Sequence, residues 1–144
     1  LFPYTTLFRS IEVDIQGYDI DGEVVKAARE NAREAGVEHL IHFQERAVKD
    51  LRHPKKYGFI ITNPPYGERL EEKSALPALY REFGESFKKL DSWSAYMITS
   101  YEETERYFGR KADKNRKIYN GMLKTYFYQF LGPKPPRRKK YPEI

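Results

Sequence analysis

The sequence predicts an α/β fold that closes in an antiparallel hairpin, on three observations. Between Val13 and Gly36 a short strand, an acidic turn, a helical repeat and a glycine follow one another, which makes a βα unit. Residues 57–62 are nearly continuously apolar, as expected of a strand covered on both faces, and run straight into Asn63-Pro64-Pro65-Tyr66. Residues 123–131 are strongly β-prone and are separated from residues 117–120 by a turn at Asn120-Gly121. A chain of 144 residues suffices for one domain with a modest core.

Composition removes several function classes. No apolar run approaches the ~20 residues of a membrane span. There is no cysteine, so disulfides and thiolate metal sites are excluded. His39, His42 and His53 lack ligand spacing, so no metal is expected. The net charge of +5 leans weakly toward a nucleic-acid partner.

The elements follow in order. Residues 1–10 read like a translated sequencing-adapter oligonucleotide and are set aside as non-native, so the natural protein is expected to continue upstream. Residues 13–19 contain the first strand. Asp21 is a good N-cap, Glu23 complements the helix dipole, and Val24, Ala28, Asn31, Ala32 and Ala35 recur at helical spacing before Gly36. In Rossmann-like folds an acidic residue at this strand end binds ribose hydroxyls, which makes Asp19 the candidate and Asp21 only the cap. Residues 40–44 form the next strand. After the third strand, residues 71–75 read as a solvated loop. Leu76, Leu79, Tyr80, Phe83, Phe87 and Leu90 then form a helical core stripe, with Pro77 in its first turn. A strand over 93–99 and a short helix over 102–108 follow. Residues 109–117 carry Arg110, Lys111, Lys114, Arg116 and Lys117 against one acid, Asp113. This is either a solvated loop or a phosphate-binding one. Residues 133–144 read as a basic, Pro-rich tail, expected to be disordered.

Asn63-Pro64-Pro65-Tyr66 carries the chemistry. Two prolines fix two φ angles and remove two N–H donors, so the chain leaves the sheet there as a stiff loop. The Asn63 side chain and a backbone carbonyl can then converge on one spot, which suits the two hydrogens of an NH₂ group. Tyr66 offers a ring on which a base can stack.

Asn-Pro-Pro-Tyr after a buried strand resembles the motif of class I S-adenosylmethionine (SAM)-dependent amino-methyltransferases. Gly-Tyr-Asp-Ile-Asp, Asn-Ala-Arg-Glu-Ala-Gly, Asn-Pro-Pro-Tyr-Gly-Glu-Arg, Gly-Arg-Lys-Ala-Asp-Lys and Tyr-Asn-Gly-Met-Leu-Lys-Thr stand in order over residues 11 to about 136. Together they are similar to the bacterial large-subunit ribosomal-RNA guanine-N2 methyltransferases, which usually carry a THUMP domain upstream. The resemblance implies a Rossmann-like class I methyltransferase fold with residues 11–132 as its C-terminal part. It implies SAM as cofactor, held by Asp19, Ile20, Val48 and Asn63. Asn63, Pro64, Pro65 and Tyr66 become catalytic, and Arg110, Lys111, Lys114, Arg116 and Lys117 hold RNA. The family's acid for the adenine amine falls at Ala47, so either backbone near Val48 or Asp50 does that work. The partner implied is precursor large-subunit ribosomal RNA, in the cytoplasm.

No Gly-x-Gly precedes Asp19, so the first strand and its glycine-rich loop are missing. The expectation is a partial fold, poorly stable and inactive by itself. A DNA adenine-N6 methyltransferase, a THUMP-bearing transfer-RNA guanine methyltransferase and a non-catalytic RNA-binding module are the rival readings.

Overall fold

The computed structural model describes residues 12, 14–68 and 70–137. The segment set aside as non-native, residue 13 of the first predicted strand and the last seven residues of the tail lie outside them. The chain divides into two compact units, residues 1–48 and 49–144.

In the first unit β1 (Ile15–Asp19) pairs in parallel with β2 (Ile41–Glu45), from Ile15 opposite Ile41 to Asp19 opposite Glu45. α1 (Gly22–Glu34) joins them. Its N-cap, Asp21, is extended (φ −95°, ψ 114°) and its side chain accepts the Glu23 N–H at 2.9 Å, satisfying one orphan donor. Val25 and Ala32, seven residues apart, are buried. The helix stops in a Schellman arrangement, with Gly36 N–H on the Arg33 carbonyl and Val37 N–H on the Ala32 carbonyl. β2 begins one residue later than the sequence suggests, because Leu40 closes the 3₁₀ turn Glu38–Leu40.

The second unit is a four-stranded mixed sheet in the order β3-β4-β6-β5. β3 (Phe59–Thr62) and β4 (Ser94–Thr99) are parallel, with Phe59 opposite Ser94. β6 (Leu123–Phe130) runs antiparallel to β4 and to β5 (Lys114–Asn120). The hairpin turn is Gly121-Met122, with φ +63° at Gly121 and not at Met122, the pattern a type II′ turn requires.

α2 (Leu70–Lys89) and α3 (Thr104–Phe108) cover one face of this sheet. Of the expected stripe, Leu76, Tyr80, Phe83, Phe87 and Leu90 are buried against Ala95, Met97, Tyr128 and Phe130, which alternate on β4 and β6, while Leu79 is only half-buried. Phe108 is the keystone: its ring meets Phe130 at 4.1 Å, Phe83 edge-on at 5.3 Å and Phe87 at 5.6 Å. α2 and α3 approach so closely that a Cβ at Gly84 would lie 2.0 Å from the Phe108 carbonyl oxygen, which only glycine permits.

Four expectations are corrected. Residues 71–75 are helix, since α2 starts at Leu70. Glu72 and Lys73 are good helix formers, and an acid in the first turn complements the helix N-terminus. Pro77 therefore lies inside the helix, where it denies the Lys73 carbonyl a hydrogen-bond donor. Third, β3 is not covered on both faces: it is an edge strand among the described residues, with Phe59 67% and Ile61 84% exposed. It starts two residues late because Tyr57 holds φ +60° and Gly58 packs on the Trp93 ring. Fourth, the basic run is a loop only through Asp113. β5 starts at Lys114, three residues before the expected Lys117, so Lys114 and Arg116 are strand, where pairing with Gln129 and Phe127 overrides their low strand preference.

Candidate active site

The candidate residues fall in both units. In the first, β1 ends at Asp19. One carboxylate oxygen accepts the Asp21 N–H at 2.9 Å, and the Asp19 carbonyl accepts the Arg46 N–H at 2.8 Å, carrying the β1–β2 pairing past the strand ends. The carboxylate is thereby aimed while keeping acceptor capacity. Ile20 beside it is 72% exposed, and Val48, half-buried, opens the 3₁₀ turn Val48–Asp50. A fixed carboxylate beside a bare apolar side chain fits a nucleoside, with its hydroxyl donors and flat base.

In the second unit, Asn63 follows β3 directly and is exposed, Pro64 and Tyr66 are half-buried, and Pro65 is exposed. Gly67 turns the chain with φ +84° in a buried position, where its missing Cβ would meet Lys73 Cγ at 2.8 Å. Asn63 and the Pro64 carbonyl make no hydrogen bond among the described residues. The Tyr66 phenol is held above its ordinary value, first by the Glu68 carboxylate and then by desolvation, so its ring stays neutral.

The Pro65 carbonyl is treated differently. The Tyr80 hydroxyl, from the middle of α2, donates to it at 2.9 Å. Tyr80 is also 2.6 Å from Thr99 Oγ1, and the Tyr101 N–H reaches Thr99 Oγ1 at 3.1 Å. A phenol has one proton, and a carbonyl can only accept. The direction is therefore fixed: Tyr101 N–H donates to Thr99, Thr99 to Tyr80, and Tyr80 to Pro65. Thr104, fully buried, locks the far end by donating to the Tyr101 carbonyl at 2.6 Å. Tyr80 is 1% exposed and Thr99 0%, and burial pushes the Tyr80 phenol up to about 12. Sequence reading took Tyr80 as plain core. The available signal was a hydroxyl placed within an otherwise Leu/Phe stripe, which a buried Tyr must satisfy.

The basic residues separate by role. Arg110 ties the loop down, donating to Asp113 Oδ2 and to the Leu131 carbonyl, both at 2.8 Å. Asp113 Oδ2 also accepts the Leu131 N–H at 2.7 Å. Lys111, Lys114, Arg116 and Lys117 are exposed and form no ion pair among the described residues. Lys114 and Arg116 share one face of β5 and Lys117 takes the other. β5 lies three strand spacings from β3, roughly 14 Å. Among the described residues no cluster of acidic or histidine side chains could hold a metal, and no helix is long and apolar enough to cross a membrane.

Residues 5–129 match the family described as RMKL-like, methyltransferase domain. The match begins within the ten residues set aside as non-native. YpsC of Bacillus subtilis (strain 168), provisionally named an RNA methyltransferase, is 50% identical over 85% of this chain and 32% of its own length. The ribosomal RNA large subunit methyltransferase K/L of Shewanella sp. (strain W3-18-1) is 41% identical over 81% of this chain and 16% of its own. The chain thus spans about a third of the first relative and about a sixth of the second. Among solved structures, a protein of Clostridium difficile 630 described as a possible methylase superposes with TM-score 0.83 at 52% identity, over 94% of this chain and 36% of that one. SMU.472, a methyltransferase by provisional name that was crystallised with SAH, gives 0.81 at 46%, over 88% and 34%. A protein of Listeria monocytogenes str. 4b F2365 provisionally described as an N6-adenine-specific DNA methylase gives 0.76 at 45%, over 83% and 30%.

Proposed function

We propose, on the premise that the chain belongs to the RMKL-like methyltransferase domain family, that it forms part of an enzyme methylating N2 of a guanine in large-subunit ribosomal RNA in the cytoplasm. The fold is that of class I SAM-dependent methyltransferases, in part. The chain covers a minority of each relative, so activity and substrate belong to the whole protein.

The observation that carries the reading is a pair of acceptors without donors among the described residues, the Asn63 side chain and the Pro64 carbonyl, on a stiff loop at the carboxyl end of a parallel strand. Open α/β sheets bind their ligands at that end. Bound SAM supplies an electrophilic methyl on a sulfonium. Asp19 would accept from the ribose hydroxyls, and Ile20 and Val48 would flank the adenine. The target base leaves its stack, Tyr66 lies against its face, and Asn63 and Pro64 accept its two amine hydrogens. A guanine amine is a weak nucleophile because its lone pair is delocalised into the ring. Fixing both hydrogens favours a pyramidal nitrogen whose lone pair faces the methyl. The rate comes from alignment and electrostatics, with no covalent enzyme intermediate and no general base before transfer. Lys111, Lys114, Arg116 and Lys117 hold the RNA backbone.

The test uses the complete methyltransferase with labelled SAM and undermodified ribosomal RNA, digested to nucleosides and read by mass spectrometry. Label in N2-methylguanosine of large-subunit RNA is expected. Label in transfer RNA or in N6-methyladenine of DNA moves the substrate to those classes. No label, with folded protein and bound SAM, overturns the reading and leaves an RNA-binding module.

A further inference from the structure

We propose that Tyr80 and Thr99 are positioning residues for the Asn63–Tyr66 loop, and that their hydroxyl relay selects which of the loop's acceptors remain for the substrate amine. The inference rests on reading that loop as the amine-accepting site. The loop presents three successive acceptors: the Asn63 side chain and the carbonyls of Pro64 and Pro65. An amine has two hydrogens. The third acceptor would offer the base a competing pose, offset by one residue.

That third acceptor is the one the fold consumes. The Pro65 carbonyl takes the Tyr80 proton at 2.9 Å, while Asn63 and the Pro64 carbonyl are left without protein partners among the described residues. With φ of Pro65 fixed by its ring, only ψ of Pro65 separates the peptide planes that carry the Pro64 and Pro65 carbonyls. Anchoring the Pro65 carbonyl therefore narrows the directions open to the Pro64 carbonyl.

The relay is suited to this task in three ways. Its direction is fixed by the Pro65 carbonyl, which can only accept and so takes the one Tyr80 proton, leaving Thr99 to donate to Tyr80. Its two hydroxyls are buried, so water does not compete for the Tyr80–Thr99 bond and the successive bonds polarise one another. It is rooted in structure that does not move with the loop: Tyr80 sits in α2, Thr99 ends β4, and Thr104 pins the Tyr101 carbonyl. The Tyr101 ring against the Tyr80 ring, 4.8 Å apart, removes the remaining freedom.

The test compares Tyr80→Phe, Thr99→Val and Thr99→Ser in the complete methyltransferase. Tyr80→Phe keeps the ring and its packing. It is expected to lower kcat about 10- to 100-fold, the range produced by misplacing a reacting group, with KM for SAM unchanged. Thr99→Val should do the same, Thr99→Ser should restore the rate, and the Tyr80→Phe/Thr99→Val pair should lose little more than either single change, since one chain is cut twice. Amide exchange by mass spectrometry supplies a readout independent of turnover: the peptide over 62–70 should exchange faster in Tyr80→Phe while the α1 and β6 peptides do not. Wild-type kcat with wild-type loop exchange in Tyr80→Phe overturns the proposal, as does a rate loss that Thr99→Ser fails to restore. If the wild-type enzyme transfers no methyl but the loop still loosens in Tyr80→Phe, the functional reading fails and the positioning role stands.

Discussion

The loops at residues 63–67 and 109–113 are both held by short hydrogen bonds, but in opposite media. The first is tied by neutral hydroxyls in the core, with Tyr80 and Thr99 essentially without solvent contact. The second is tied by an ion pair, Arg110 to Asp113, whose side chains are 39% and 44% exposed. Salt screens an exposed pair strongly and a buried neutral relay hardly at all. On the proposed function, the loop that aligns the base is held by hydroxyls in the core, and the run that attracts RNA leaves its cations in solvent.

The sharpest way to break this contrast is Asn63→Ala in the complete methyltransferase. Methyl transfer should fall below detection while SAM affinity, measured by calorimetry, stays near wild type. Surviving turnover would move the chemistry off the loop altogether.

The alkaline limit of stability comes next. Tyr80 titrates near 10 in the unfolded chain and at about 12 in the fold, so between those values the unfolded state has lost a proton that the native state keeps. Stability is fully present below pH 10 and falls as pH rises toward 12, by on the order of 2 kcal/mol from this group. Tyr128, pushed up to about 12 chiefly by burial and then by Glu105, titrates in the same window. Denaturant melts at pH 9 and pH 11 should show the drop, and Tyr80→Phe should reduce it.

On the exposed side the effects are smaller and depend on salt. Replacing Lys114, Arg116 and Lys117 by Ala should weaken RNA binding uniformly across sequences. The slope of log K against log salt should fall by about 1 for each phosphate no longer neutralised. An unchanged slope would return the basic run to an ordinary solvated surface. Smallest of all is the ion pair itself. A double-mutant cycle on Arg110 and Asp113 should give a coupling below about 1 kcal/mol that shrinks further in 0.5 M salt.

How much of this was legible in sequence depends on range. The first βα unit was, because Asp21, Glu23 and Gly36 act within a few residues of themselves. The Asn63–Tyr66 loop was, because two prolines after an apolar run leave the chain little choice. The start of α2 was not: residues 70–74 are mostly charged and polar, and such a stretch suits a loop or a helix equally until packing decides. The strand state of Lys114 and Arg116 was hidden for a similar reason, since it is imposed by β6 across the hairpin and not by their own preferences. The work of Tyr80 was least visible. Its hydroxyl partners are 15 and 19 residues away in the chain, and periodicity reports only that the position faces inward.

One consequence of β3 concerns solubility. Its outer edge, unpaired among the described residues, presents backbone donors and acceptors beside Phe59 and Ile61, which are largely bare. Such an edge is a template on which another chain can add a strand. The strand is only four residues long, and Pro64 and Pro65 follow Asn63 immediately, so a pairing partner runs out of donors after four residues. The prolines that stiffen the candidate site thus also serve as gatekeepers against aggregation: relaxing them to gain mobility at the loop would lengthen the sticky edge at the same time.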